Sequence, residues 1–336
     1  MTSDSLLLFH SASHGQHAPT SHPDTPERVE ELRRAALEFG AEEHQPGDFG
    51  IGPIAAVHSP ELLALLQTAY HRFAQLKEGP RPAVPDTFAV RESGGARRVS
   101  PNIWAQLGHH CTDSLTPILP HTWDAAYAAA QTALSAAQAL YESPLVYALT
   151  RPPGHHAYRD LYGGYCYLNN AAIAAQWLVE RGRRPAILDL DYHHGNGTQA
   201  IFYERADVFF ASLHADPADE YPYYAGYADE MGAGAGEGHT LNVALPLDCD
   251  ATAYQRSLDW ALAAVDAVAP DALIVSLGFD TLAGDPHGGM RLSPDTFGPI
   301  GRSLAGLGRP ILLVQEGGYQ PGVLRPALLA LLEELT

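Results

Sequence analysis

The chain has 336 residues, 46% hydrophobic and 18% charged, with 39 acidic residues against 20 basic ones and a formal charge of −19. That composition suits a soluble globular protein with a large core. It disfavours nucleic-acid binding, because little is present to neutralise phosphates, and it favours encounter with cationic ligands. No apolar run approaches the roughly 18 residues needed to span a membrane. Three cysteines (Cys111, Cys166 and Cys249) without CxxC spacing exclude a disulfide framework and a thiolate zinc site. The opening MTSDSLLLFH has no basic start and does not read as a signal peptide, so the cytoplasm is the expected compartment.

In chain order, a short apolar run at Leu6–Phe9 is followed by a helix at Pro26–Phe39, with Thr25 as its cap and Pro26 at its first position, and a second helix at Pro60–Lys77. Gly79–Pro120 is rich in Pro, Gly, Ser and Arg and shows no clear periodicity. A loop of that length inside a compact domain shapes a site or makes an oligomer contact. Helical patterns then occupy Thr122–Glu142, Asn169–Arg181, Ala251–Val268, Pro294–Leu307 and Arg325–Leu335. Between them lie apolar runs at Val146–Leu149, Ala186–Leu190, Val208–Leu213, Ala272–Leu277 and Ile311–Val314. Continuous apolar runs alternating with helices predict an α/β fold, a doubly wound parallel sheet flanked by helices in one domain spanning 1–336.

The polar residues with chemical potential gather where the strands end, which is where open parallel sheets bind ligands. Asp189, Asp191 and His193 alternate in DLDYHHGNG, so an extended chain points them together. With Asp280 from another strand end, two members of this triplet, a carboxylate and the His193 imidazole, complete a set of three ligands. This Asp/His/Asp set leaves a coordination position open, as a catalytic metal site requires. His155-His156 follows a Pro-Pro-Gly turn and fits general acid–base work, with Asp189 and Asn196 available to orient the rings. Tyr319, after Glu316-Gly317-Gly318, has a hydroxyl able to donate to a developing oxyanion. Gly164, Tyr165 and Tyr221 suggest a narrow passage with flat aromatic walls.

These motifs, from HPDTPER (His22–Arg28) through RPPGHH, DLDYHHGNG and GFDTLAGDP to EGGY (Glu316–Tyr319), resemble the histone deacetylase superfamily and within it the bacterial acetylpolyamine amidohydrolases. The resemblance implies the arginase/deacetylase fold and zinc-dependent hydrolysis of an acyl amide on a small cationic acetylated amine. It makes Asp191, His193 and Asp280 the zinc ligands, with Fe2+ or Co2+ as other ions the site accepts. His156 becomes the general base and then acid, His155 its electrostatic partner, and Asp189 and Asn196 their orienting residues. Tyr319 polarises the carbonyl, the Gly164 carbonyl accepts the substrate amide N–H, and Tyr165 and Tyr221 form tunnel walls. Arg28 stands beside an acetate exit, and a structural K+ is held by Asp189, Asp191, His193, Ser212 and Leu213. The 79–120 loop, with its RRVSPNI-type core (Arg97–Ile103), is expected at the active-site mouth and across a homodimer interface.

Two positions depart from the pattern. Trp104 stands where acetylpolyamine relatives carry an acidic residue for the distal cation, and His287 stands where a polyamine-selective relative carries glutamate. The alternative readings are an acetyl-lysine deacylase, a two-metal ureohydrolase, whose DxHxD pattern is missing, and a catalytically silent binding module, which would lack one of the motif residues.

Overall fold

The computed structural model describes residues 6–76, 79–89 and 100–336. The first five residues, Lys77 and the Arg97–Val99 start of the RRVSPNI stretch lie outside the described residues.

Eight strands form one wholly parallel sheet: β1 Leu7–His10, β2 Glu42–His44, β3 Leu145–Leu149, β4 Pro185–Asp189, β5 Phe209–Ala215, β6 Thr240–Leu245, β7 Ala272–Leu277 and β8 Ile311–Gln315. Their order is β2-β1-β3-β8-β7-β4-β5-β6. The helices are α1 Pro26–Phe39, α2 Gly52–Ala55, α3 Pro60–Ala74, α4 Ile103–His110, α5 Thr122–Ala139, α6 Asn170–Val179, α7 Asn196–Phe202, α8 Ala251–Ala267, α9 Phe297–Ala305 and α10 Leu324–Leu335.

Both faces of the sheet are covered, which explains why its central strands are largely apolar, with Ser212, His214 and Ser276 buried among the apolar residues. Along β7, Leu273, Val275 and Leu277 pack with α1, α8, α9 and α10, while Ala272 and Ile274 pack on the opposite face with α3 to α7. Strand pleating divides the residues between the two layers in this way.

The structure amends the sequence reading at several points. It adds two strands: β2, three residues long with polar side chains, and β6, which alternates TLNVAL; both sit at the sheet's edges. Thr25 occupies the N-cap of α1, but its hydroxyl meets the Glu27 carboxylate and makes no cap bond to the helix backbone. The 79–120 stretch contains α4, begun by Asn102, whose side chain accepts the Trp104 N–H at 2.9 Å.

Candidate active site

The five central strands β3, β8, β7, β4 and β5 are neighbours, so the segments leaving their carboxyl ends converge on one crevice. β4 delivers Asp189 and, just past its end, Asp191 and His193. β7 leads to Asp280, β3 to His155 and His156, and β8 to Glu316 and Tyr319.

One ligand atom each from Asp191, His193 and Asp280 lie within 4.8 Å of one another. His193 Nδ1 stands 3.3 Å from Asp191 Oδ1 and 3.3 Å from Asp280 Oδ2. The second oxygen of Asp191 accepts the Gly317 N–H at 2.8 Å, and Asp280 Oδ1 accepts the Tyr192 N–H at 3.0 Å. Asp280 Oδ2 is buried with no well-aligned donor among the described residues. Burial, reinforced by the neighbouring Asp191 charge, pushes the Asp280 carboxyl up to about 7. Two buried carboxylates and an imidazole at this spacing, one oxygen left without a donor, fit a divalent cation, which would relieve the repulsion. A Cβ at Gly317 would collide with both carboxylates, so glycine is required where the chain leaving β8 passes the cluster.

Each histidine of the adjacent pair is fixed through Nδ1: His155 to Asp189 Oδ2 at 3.0 Å, His156 to Asn196 Oδ1 at 2.8 Å. The rings lie 3.9 Å apart, centroid to centroid. Their environments drive them in opposite directions. Burial disfavours a charged His155, but Asp191 and Asp189 outweigh it and raise the ring to about 10. Burial, then the charges of His155 and His193, hold His156 well below its usual range. A pair split in this way has one member held charged and one held neutral, the arrangement that acid–base catalysis uses. Sequence reasoning gives no role to Glu316, whose Oε2 accepts the Gly154 and His155 N–H groups at 2.6 and 3.2 Å. Its carboxylate therefore sets the backbone that presents both imidazoles.

Above this floor opens a cavity of about 730 Å³. His156, Gly164, Tyr165, His193, Tyr221, His287 and Tyr319 line it, as do Phe88, Asp113, Leu115, Glu220 and Tyr223, which the motifs do not identify. Tyr221 meets His156 edge-on at 4.9 Å between centroids, and His287 sits 5.4 Å from the Tyr319 ring. Gly164, at φ +57°, packs so closely on the His156 ring that a Cβ would enter it. The Gly164 carbonyl accepts the Cys166 thiol at 3.3 Å.

Trp104 does not line this cavity. It lies half-buried on α4, 4.6 Å from the Phe73 ring and beneath Arg81, because its helix packs on α3. Arg28 is fully buried under the Tyr319 loop: Nε donates to Gly318 O at 2.7 Å, Nη2 to Glu316 O at 2.5 Å and Nη1 to Asp24 at 2.9 Å. Arg151 Nε donates to the same Asp24 oxygen, Oδ1, at 3.0 Å. Ser212 pairs in register with Asp189 across β4 and β5, with Leu213 next to it, and its hydroxyl contacts His214 at 2.8 Å.

The parallel sheet and this cluster of acid–base and carboxylate groups define the chain as an enzyme, an amidohydrolase of the deacetylase type. It belongs to the histone deacetylase domain family, whose model matches residues 22–335. It is 44% identical to the acetylpolyamine amidohydrolase of Burkholderia pseudomallei over 297 residues, covering 88% of this chain and 86% of the relative. Against the acetylpolyamine amidohydrolase of Mycoplana ramosa it is 40% identical over 300 residues, covering 88% and 87%. The crystal structure of the Burkholderia pseudomallei acetylpolyamine aminohydrolase superposes with a TM-score of 0.93 at 40% identity, covering 98% of each chain.

Proposed function

We propose that this enzyme hydrolyses the acetyl amide of small cationic acetylated amines of the acetylpolyamine kind, with one zinc ion held by Asp191, His193 and Asp280. The observation that carries the reading is the oppositely biased His155–His156 pair facing that cluster on the floor of the cavity. The metal-dependent chemistry of the family suits the residues present, and a zinc ion bound there would polarise the amide carbonyl and acidify the attacking water.

The chain's own residues supply the rest. His156, neutral and oriented by Asn196, takes the water proton at Nε2 and later returns it to the leaving amine. His155, kept charged by Asp189, provides positive potential beside it. The Tyr319 hydroxyl, its proton secured by burial, donates to the oxyanion as charge develops. The Gly164 carbonyl accepts the substrate amide N–H, and Tyr165 and Tyr221 flank the aliphatic stem. Glu220 and Asp113 both bring carboxylates to the cavity lining, and Glu220 is the group we assign to the distal ammonium in place of the acidic residue missing at Trp104. The His287 ring narrows the rim. Arg28 marks the acetate exit, and a potassium ion at Asp189, Asp191, His193, Ser212 and Leu213 braces the β4–β5 edge. The working unit is a homodimer with the 79–120 segment at its interface and a constricted mouth.

The test compares kcat/KM for acetylputrescine, acetylcadaverine, acetylspermidine and an acetyl-lysine peptide, alongside the solution mass. The small amines are expected to win. A tenfold or greater preference for the peptide, or a monomeric mass, would refute the constricted-mouth reading.

A further inference from the structure

The N-terminal segment carries histidines that the reaction does not use. His10 ends β1, and His14 follows four residues later in a 3₁₀ turn at Ala12–Gln16. Both are deeply buried, at 4% and 5% exposure, with their rings edge-on and 5.0 Å apart. Buried imidazoles normally find partners for both nitrogens. Here His10 Nε2 and His14 Nδ1 have none among the described residues. Glu30, on α1, brings Oε1 to 3.6 Å from His14 Nε2, and one ligand atom from each of His10, His14 and Glu30 lie within 4.8 Å of one another.

We propose that His10, His14 and Glu30 form a second divalent-metal site, separate from the catalytic cluster, that takes zinc or another late transition ion. Two imidazoles and one carboxylate are a complete three-ligand set for zinc, with a fourth position left to water. Two ligand atoms around a tetrahedral zinc stand about 3.3 Å apart, so the 3.6 Å gap between His14 Nε2 and Glu30 Oε1 already fits; the unpartnered nitrogen that would meet the ion is His10 Nε2, whereas His14 Nδ1 is the other nitrogen of its ring. The surrounding charge is mixed: Arg151 and Arg28 act against positive charge at His14, and Asp24, Glu43 and Glu30 act for it at the two rings. Glu43 Oε1 lies 3.4 Å from His10 Nδ1, on the side of that ring away from its unpartnered nitrogen. Arg33 is taken by Glu43 through two bonds of 2.6 and 2.7 Å and reaches only the far oxygen of Glu30, at 3.7 Å. Glu30 also borders a surface cleft with Pro26, Glu27 and Arg34, which gives an ion a route from solvent. Such an ion would tie β1, the turn and α1 together next to Arg151, whose guanidinium donates to the His14 carbonyl at 2.5 Å.

The test is zinc stoichiometry by equilibrium dialysis of the holoenzyme, with Co2+ absorption as a second readout. Two ions per chain are expected in the native protein and one in both His14→Gln and Glu30→Gln. kcat should be unchanged, and affinity for the second ion should fall at least roughly tenfold. Glu30 is partly exposed, so its variant keeps the question open to experiment even if the buried His14 change impairs folding. A single ion in the native protein would overturn the proposal, as would a second ion retained with equal affinity by Glu30→Gln.

Discussion

The floor and the mouth of the cavity are built differently. On the floor the polar groups are tied down, with Asp280 Oδ2 and Glu316 Oε1 the exceptions: His155 meets Asp189, His156 meets Asn196, Glu316 Oε2 gathers two backbone N–H groups, and Gly317 lets the chain pass close to the carboxylates. At the mouth the lining comes from distant parts of the chain, Phe88, Leu115, Tyr223 and His287 among it, and much of it is aromatic and partly exposed. A floor so constrained fixes the reaction, whereas a mouth of independent side chains can vary its substrate without disturbing the chemistry. Substitutions on the floor should therefore cost most in turnover, and those at the mouth should alter selectivity by small factors.

The largest effect is expected at the cluster itself. Asp280→Ala removes one of three converging ligands and should lower turnover by on the order of 10³-fold or more, with loss of the bound metal measured on the same sample. Full activity in thoroughly chelated protein would break the contrast at its base.

Next comes the ion network beneath Tyr319. Asp24 is buried between Arg28 and Arg151, and although burial opposes its charge, the two guanidinium groups hold its carboxyl below the ordinary range. Asp24→Asn leaves two buried cations facing each other and should cost about 3–5 kcal/mol of stability at neutral pH. Because the folded value is depressed, this contribution is complete above the unfolded value of about 3.9 and disappears as the pH falls through the folded one. Urea unfolding of both proteins should show a gap at pH 7 that starts to narrow as the pH falls below the unfolded value of about 3.9; a constant gap would mean that packing, not charge, is responsible.

Tyr319→Phe keeps the ring against Arg28 and deletes only the donor. kcat should drop by about 10²–10³ with a much smaller change in KM. A normal kcat would reduce the tyrosine to a packing element of the mouth.

Much of the floor is legible in the sequence because its residues are tied to strand ends. DLDYHHGNG reads as a strand leaving the sheet; in the structure β4 ends at Asp189 and the chain bends through residues 191–193, so strand alternation alone does not carry the cluster beyond Asp189. The buried strands announce themselves as mainly apolar runs, whereas β2 and β6 sit at the edges, where polar or alternating residues suffice. The mouth is less legible. α4 spans only eight residues, and its Asn102 cap with Ile103 and Leu107 on one face is the available signal. Without that helix, Trp104 reads as a mouth residue, although it packs on Phe73. No local pattern marks Glu220 or Asp113, since only the fold brings them to the cavity.

Asp113 tests whether floor and mouth are truly independent, because it belongs to both. Its Oδ2 accepts the Gly164 N–H at 2.5 Å and its Oδ1 the Thr116 hydroxyl at 2.9 Å. That hydroxyl in turn accepts the Tyr165 N–H at 2.9 Å. Asp113→Ala should lower kcat/KM roughly 10–100-fold, the worth of charged hydrogen bonds lost from a positioned loop. Asp113→Asn, which keeps an acceptor oxygen, should recover part of it. Equal losses in the two variants would show that the charge itself acts on the substrate.

Glu220→Gln should give the smallest effect and the sharpest view of the mouth. The carboxylate receives the Tyr221 N–H at 2.9 Å and the Tyr192 hydroxyl at 3.3 Å and stays partly exposed beside the cavity. An ammonium pairing with it remains in contact with water, so the interaction is worth the roughly 0.2–1 kcal/mol typical of exposed ion pairs, a KM change of about 1.5- to 5-fold. Glutamine preserves the shape and one acceptor, so kcat and the hydrolysis of an acetyl amide without a distal charge should not change. Acetylputrescine and acetylspermidine should lose affinity while a neutral acetyl-alkylamine does not. If the neutral substrate suffers equally, Glu220 holds Tyr192 and Tyr221 in place and reads no charge, and selectivity for cations must be sought in the long-range field of the −19 chain.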